Sequence, residues 1–440
     1  MKRFSLIPMI VATLLATKTL AGNLTVNGNL TVTTNLTAQS VTLGGVTQTS
    51  WPAALAGGYK YVIVAEGTND LQRGSNLQAA YTTATTLNPT SSNRVVVLVS
   101  PGSYNLGSSG LTMNTSYVDL IGLVPSQMTT KQVFTDSAGI TRTKTVANVQ
   151  CPVLVYSSAS AGTLVQSVDY IRIESVILTN TGSGVAYGPS VNGINTVLRH
   201  VSMSSMPSDF DYDGEYVDCV GGSSAFGNDT ANNSNYANGT FVDCVGGDNS
   251  FGAGSVASGT FIGCTGGDSS FAGSQGFNDA LGYNDSAFAS GAFINCVGGD
   301  ESFGGEGTAS GTFRGCVGGY ESFGGDGEAN GTFIDCVGGD VSFAGNDGWT
   351  QHAGYADGTF IDCVGGSNCF GGNGGSLDLS AKLQHCQAGA GSFYFGASAD
   401  FNYNVGGSNT FLMLPQLPTS TNGLPSGTVY NSSGTLKVMP

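Results

Sequence analysis

The sequence predicts an all-β solenoid, a parallel β-helix, and three observations carry that reading. Eight cysteines, Cys219, Cys244, Cys264, Cys296, Cys316, Cys336, Cys363 and Cys386, follow one another at spacings of 25, 20, 32, 20, 20, 27 and 23 residues. The floor is 20, so the longer intervals read as one 20-residue unit with inserts. A Phe stands seven residues after every one of these cysteines, at 226, 251, 271, 303, 323, 343, 370 and 393. The residue just before the cysteine is Asp218, Asp243, Gly263, Asn295, Gly315, Asp335, Asp362 or His385. All but His385 are types that tolerate the left-handed conformation, which marks a sharp corner.

Within one unit the elements follow in order. The aromatic three before the cysteine (Tyr216, Phe241, Phe261, Phe293, Phe313, Phe333, Phe360) is expected to face the core with the cysteine, and the residues between them to face out. That explains how Arg314 replaces the aliphatic residue of other units. Gly-Gly after the cysteine forms the next corner, and Ser-Phe the next short strand. An Ala such as Ala257, Ala309 or Ala329 opens the third side. One coil buries little by itself, but stacked coils about 4.8 Å apart share a continuous core.

Composition agrees. The chain holds 68 Gly in 440 residues, roughly twice the usual share of about 7%. Charged residues are 10%, against roughly 25% in ordinary domains, and the apolar 40% is enough for a core. These values exclude a helical bundle, collagen and charge-rich disorder. The net charge of −16 argues against nucleic acid as a partner. Residues 209–378 contain 23 acids and one base, Arg314.

Residues 1–21 have a basic start, an apolar run from Leu6 to Ala16, and small residues Thr19 and Ala21 before an expected cut. That is the layout of a secretory signal peptide, and the run is too short to span a bilayer. Its removal would take the net charge from −16 to −19. The expected product is secreted or on a cell surface, without membrane insertion.

The stretches YVIVAEGTNDLQRGSNLQAAYTTAT, NRVVVLVSPGSYNLGSSGLTM and YVDLIGL, within residues 61–123, resemble the opening of the pectin-lyase-like right-handed parallel β-helix superfamily. That superfamily includes polysaccharide lyases, glycoside hydrolases and phage tailspikes. The resemblance, over roughly 59–400, implies a right-handed coil and a short N-terminal helix capping its open end. Here Ser75 or Asn76 is expected to N-cap Leu77–Ala84, with Leu77, Ala80, Tyr81 and Ala84 on one face. Residues 22–58, with a repeated NLT, resemble the short β-repeats of trimeric fibre and surface proteins, so a homotrimer is one expectation. The division is thus 1–21 signal peptide, 22–58 attachment or stalk segment, 59–200 cap and irregular coils, 201–400 regular coils, and 401–440 C-terminal cap and tail.

The chemistry-bearing residues fall into four groups. The cysteine column reads as stacked buried thiols with parallel Cβ directions; disulfides between neighbours and a thiolate metal site are the alternatives. Asp248, Asp268, Asp300 and Asp340 recur after Gly-Gly and read as a solvated acidic face or, alternatively, a structural Ca²⁺ site. No cofactor is required. The inserts bring Tyr236, Phe277, Asp279, Tyr283, Asp285, Phe288, Trp349, His352, Tyr355 and Asp357, aromatics beside carboxylates, which suits a carbohydrate or cell-surface glycan. Asp209, Asp211, Asp213 and Glu215 form the least repetitive acidic cluster and the sole catalytic candidate. The leading expectation is a non-enzymatic scaffold: fibre, adhesin or glycan binder. The alternative is a polysaccharide-degrading enzyme, a glycoside hydrolase before a lyase, since interchangeable coils supply carboxyl pairs everywhere.

Overall fold

The computed structural model describes residues 31–32, 41–43, 46–48, 59–123, 127–150, 153–157, 162–182, 184–189, 195–207, 211–227, 236–273, 287–325, 327–345, 354–372, 376–378, 381–393, 400–402, 405–406, 429–432 and 435–438. Contacts group the chain into two compact units. The first comprises 1–133, 143–252 and 259–266; the second comprises 134–142, 253–258 and 267–440.

In the first unit the strand Lys60–Ile63 pairs in parallel with Val95–Val99, and that strand with Val118–Gly122. The alternating inner residues Tyr61, Ile63, Val96, Leu98, Ile121 and Leu123 form one apolar cluster. The helix Asp70–Thr85 covers this end, burying Leu77, Ala80, Tyr81 and Ala84 as expected. Its start differs from the expectation. Asn69, not Ser75 or Asn76, is the N-cap, and its side chain accepts from Gln72 N at 2.9 Å. Gly74 invites the misreading because mid-helix glycine is unfavourable. A Cβ there would lie 1.8 Å from the Asn105 carbonyl oxygen, so close packing dictates the glycine.

The succeeding strands Arg172–Asn180, Val197–Met203, Glu215–Val217, Thr240–Val242 and Thr260–Ile262 pair in parallel, each with the next. In the second unit Ala292–Ile294, Thr312–Arg314, Thr332–Ile334, Thr359–Ile361 and Lys382–Gln384 pair in parallel, each with the next. A separate sheet runs through Val256–Ala257, Phe288–Ala289, Thr308–Ala309, Glu328–Ala329, Tyr355–Ala356 and Ser376–Leu377. Parallel strands in one sheet need long right-handed connections. Here each connection is one coil of a right-handed parallel β-helix.

All eight residues preceding the cysteines have positive φ, between 50° and 63°, His385 included. The eight cysteines are fully buried free thiols, as is Cys369. The Cys316 thiol donates to Phe293 O of the previous coil at 3.3 Å, and Cys363 to Phe333 O at 3.4 Å. Burial pushes the Cys244 and Cys336 thiols up, and that of Cys369 to about 12. The column extends two coils further than the sequence repeat. Ser175 and His200 also have positive φ, and buried Val176 and Val201 follow them in register.

The Ser-Phe segment is not the strand expected. Phe303, Phe323 and Phe343 have φ of 53°, 57° and 56° and lie in tight turns, so a coil has two short strands and an isolated bridge at residues such as Val317. A bulky residue in this region costs on the order of 1–3 kcal/mol. Ring stacking offsets it. Phe323 lies 4.8 Å from both Phe303 and Phe343 with planes within 3°, and meets Phe313 edge-on at 5.7 Å and 88°.

A hairpin, Gln127–Thr135 and Thr141–Gln150, rests on the left-handed corner column. In the first unit Asp218 accepts from Thr129 Oγ1 and from Met128 N, and it pairs with His200 Nδ1 at 2.6 Å. Lys131 pairs with Asp243. In the second unit Arg142 pairs with Asp136 and donates to Gly315 O at 3.3 Å and Asp335 O at 2.9 Å.

Two outcomes follow from this packing. Phe323→Ala should cost about 3–5 kcal/mol, whereas the outward Arg314→Ala should stay within about 0.5 kcal/mol; urea midpoints measure both, and equal midpoints would refute the stacking account. The hydrogen bond to Asp218 raises the His200 pKa against an opposing effect of burial. The stability it confers is complete below the unfolded-state value near 6.5 and is lost as pH rises through the folded-state value. Burial raises the Asp218 pKa, but bonds from His200, Thr129 and Met128 outweigh it and lower the net value. Its contribution is present above the unfolded-state value and lost in acid. Melting temperature against pH should therefore show both flanks, and His200→Gln should flatten the alkaline one.

Candidate functional site

The short-strand sheet of the second unit alternates strictly. Its inward residues Ala289, Ala309, Ala329 and Ala356 are fully buried, and small because the coil is narrow there. Register places Phe288, Thr308, Glu328, Tyr355 and Ser376 in one column before them. The residues after the alanines, Ser290, Ser310, Asn330 and Asp357, form an exposed second column, and exposed Asp378 follows Leu377 on the next coil.

This surface combines two exposed rings with hydroxyl, amide and carboxylate groups. Phe288 is 39% exposed and Tyr355 51%. Three coil steps separate them, about 14 Å at the 4.8 Å spacing of stacked rings in this unit. Asn330 Nδ2 donates to Glu328 Oε2 at 3.3 Å. Partial burial, and then the carboxylate of Asp378, raise the Asp357 pKa. The arrangement offers a flat apolar ring face beside donors and acceptors.

Of the insert residues singled out in the sequence, Phe288, Tyr355 and Asp357 come together here. Tyr236 lies in the first unit, where its backbone N–H donates to Asp211 Oδ1 at 2.8 Å. Phe277, Asp279, Tyr283, Asp285, Trp349 and His352 lie outside the described residues, as does Asp209. Glu328 and Asp378 were not among the candidate binding residues.

The described carboxylates of the acidic cluster, Asp211, Asp213 and Glu215, have different surroundings. Asp211 is committed to the Tyr236 backbone, and burial followed by Asp213 raises its pKa. Glu215 pairs with Arg199 at 2.5 Å. Asp213 Oδ1 is buried without a hydrogen-bond partner.

The recurrent aspartates have a structural role. Asp268 Oδ1 accepts from Asp300 N at 3.0 Å, Asp300 Oδ1 from Tyr320 N at 2.8 Å, and Asp340 Oδ1 from Ser367 N at 2.6 Å. Each carboxylate thereby ties its coil to the next, while Asp248 is exposed in its turn. Among the described residues no three His, Cys, Asp or Glu side chains gather at metal-binding spacing.

No protein-family model matches the sequence, and no curated protein matches it. Two solved structures resemble the chain. One is a pectin methylesterase in complex with a hexasaccharide, at 11% identity over 74% of this chain and 87% of that one, with a TM-score of 0.22. The other is the tailspike protein gp49 of Acinetobacter baumannii bacteriophage Fri1, a capsular polysaccharide depolymerase. Its identity is 9% over 79% of this chain and 65% of that one, with a TM-score of 0.30. The chain is a right-handed β-helix. These likenesses assign it no activity, because this architecture hosts many.

The aspartate rungs predict a graded response. Asp300→Ala should cost about 1–2 kcal/mol by removing a charge-assisted bond to Tyr320 N. Asp300→Asn keeps the acceptor and should cost less; a urea midpoint equally lowered in both would count against the rung.

Proposed function

We propose that this protein is an exported, surface-displayed β-helix that binds a polysaccharide without cleaving it, as a fibre, adhesin or glycan-binding scaffold. The observation that carries the proposal is the exposed column of Phe288 and Tyr355 beside Ser290, Ser310, Asn330 and Asp357. A pyranose has an apolar C–H face and a rim of hydroxyls, so it pairs with a ring face and with mixed donors and acceptors. Repetition suits a polymer, since coils of one spacing present a track rather than a pocket. The signal-like start at residues 1–21 supports export.

A second reading has one observation in its favour. Asp357 and Asp378 stand on adjacent coils, near the roughly 5 Å separation of carboxyls in retaining glycosidases, and the Asp357 pKa is raised. Both are exposed on an open face, which favours binding over catalysis, because acid catalysis draws on an enclosed carboxyl.

Affinity electrophoresis in gels containing soluble polysaccharides tests the binding. Tyr355→Ala or Phe288→Ala should weaken retention by about fivefold, from the loss of about 1 kcal/mol of stacking. Unchanged retention in the double variant would refute the track. Reducing-sugar release by the native chain that Asp357→Asn abolishes would establish the hydrolase instead.

A further inference from the structure

Packing alone does not account for the cysteine column of the second unit. Cys296, Cys316, Cys336, Cys363 and Cys386 lie on successive coils, each fully buried and each a free thiol. In the first unit Val201 stands in register with Cys219, and Val176 with Val201, so an aliphatic side chain serves the fold at this position. Sulfur on five coils in succession asks for a reason beyond filling space.

The five sulfurs repeat with the coils. Before the cysteine, Ile294, Arg314, Ile334, Ile361 and Gln384 are paired in register; after it, Val317, Val337 and Val364 are bridged to their neighbours. Each Sγ lies 3.4–3.6 Å from the carbonyl oxygen two residues earlier in its own coil, so one side-chain orientation recurs in all five. The stacked rings of Phe293, Phe313, Phe333 and Phe360 set the step at 4.8, 4.8 and 4.9 Å with planes within 4°. Phe370 and Phe393 carry it to the last of these coils at 5.1 Å. The sulfurs therefore stand in a line at that step.

Such a line fits the bonding of one class of ion. A zinc–thiolate bond is about 2.3 Å, and bonds to soft monovalent ions are of that order, so a linear sulfur–metal–sulfur unit spans about 4.6 Å. Thiolates select soft ions, copper(I) among them. Zinc itself takes four ligands, and among the described residues no three His, Cys, Asp or Glu side chains gather. A two-coordinate ion needs only a pair. It lies on the line between two sulfurs, where its own bonds take up the gap.

We infer that the cysteine column of the second unit binds soft monovalent ions of the copper(I) and silver(I) kind, as an alternating chain of sulfur and metal. Each ion displaces one thiol proton, R–SH + M⁺ → R–S–M + H⁺, and takes its second bond from a lone pair of the next sulfur. Four ions bridge the five sulfurs; four protons leave and the fifth stays on an end thiol. The buried column thus gains no net charge, which would otherwise be costly to hold there. Nothing is oxidised or reduced. The thiols give up only weak donation, such as that from Cys316 to Phe293 O at 3.3 Å.

Silver(I), which brings no redox chemistry, is the probe. It is added to the native full chain and, in parallel, during refolding from urea, with zinc(II) as the comparator. Metal per chain after gel filtration, proton release in weak buffer, near-UV circular dichroism and melting temperature are read. By one route or the other the chain should retain at least four silver ions, release one proton per ion, and retain no zinc. Its near-UV signal should persist and its melting temperature rise, since the folded column is the ligand. The triple variant Cys316→Ala, Cys336→Ala, Cys363→Ala isolates Cys296 from Cys386 and should lose four ions. Cys369→Ser should lose none, because Ser302, Ser322, Ser342 and Ser392 hold the place of Cys369 in the other coils. If the triple variant does not fold, Cys336→Ala alone divides the column into two pairs and should lose two ions. An unchanged silver count in these column variants, a matching loss in Cys369→Ser, or equal retention of zinc would overturn the inference. Uptake that abolishes the near-UV signal or lowers the melting temperature would overturn it too, by placing the ions on unfolded thiols, as would no silver retained by either route.

Discussion

Among the described coils of the second unit, stacked rings lie 4.8–5.1 Å apart, and most inward aromatic side chains pack against their counterparts. The Phe303, Phe323 and Phe343 rings stack at 4.8 Å with planes within 3°, so successive coils hardly rotate. Unrotated parallel strands are unusual, since strand pairs ordinarily twist by roughly 20° or more. Two perpendicular ring columns make a rotation expensive, because turning one coil would break stacked and edge-on contacts together. The left-handed Phe turns are tolerated for the same reason: the strain is local, while the stacking is shared with both neighbours.

That constraint determines the small residues. Close approach of coils leaves no room beside the corners after the cysteine. A Cβ at Gly319 would stand 2.1 Å from Asp300 Oδ1. The glycine is therefore what lets the carboxylate reach the next backbone N–H, and the two residue types recur together. The inward alanines of the short-strand sheet follow from the same narrow spacing. Outward positions are free of it, which is why one column can run through Phe288, Thr308, Glu328 and Tyr355 without disturbing the coil.

Legibility in the sequence tracks this division. The cysteine, aromatic and corner columns were readable because stacking forces near-identity at fixed spacing. The Ser-Phe turn was misread because phenylalanine ordinarily favours strands, and only its neighbours above and below explain its left-handed backbone. Val176 and Val201 continue the cysteine column invisibly, as a different small apolar residue fills the same space. The hairpin lies in a stretch where no repeat offers an alignment. Asp357 stood out beside an aromatic residue, but its partner Asp378 belongs to the following coil and becomes a neighbour only through pairing.

The one-sided charge can be weighed in the same terms. Carboxylates repeating at about 4.8 Å repel by roughly 1 kcal/mol per pair in water, less once salt screens them over about 8 Å. A carboxylate accepting a backbone N–H gains on the order of 1.5–3 kcal/mol. The Asp268, Asp300 and Asp340 rungs thus offset their mutual repulsion through bonds that also fix the register of the coils they join. An acidic surface is then a consequence of how these turns are tied together.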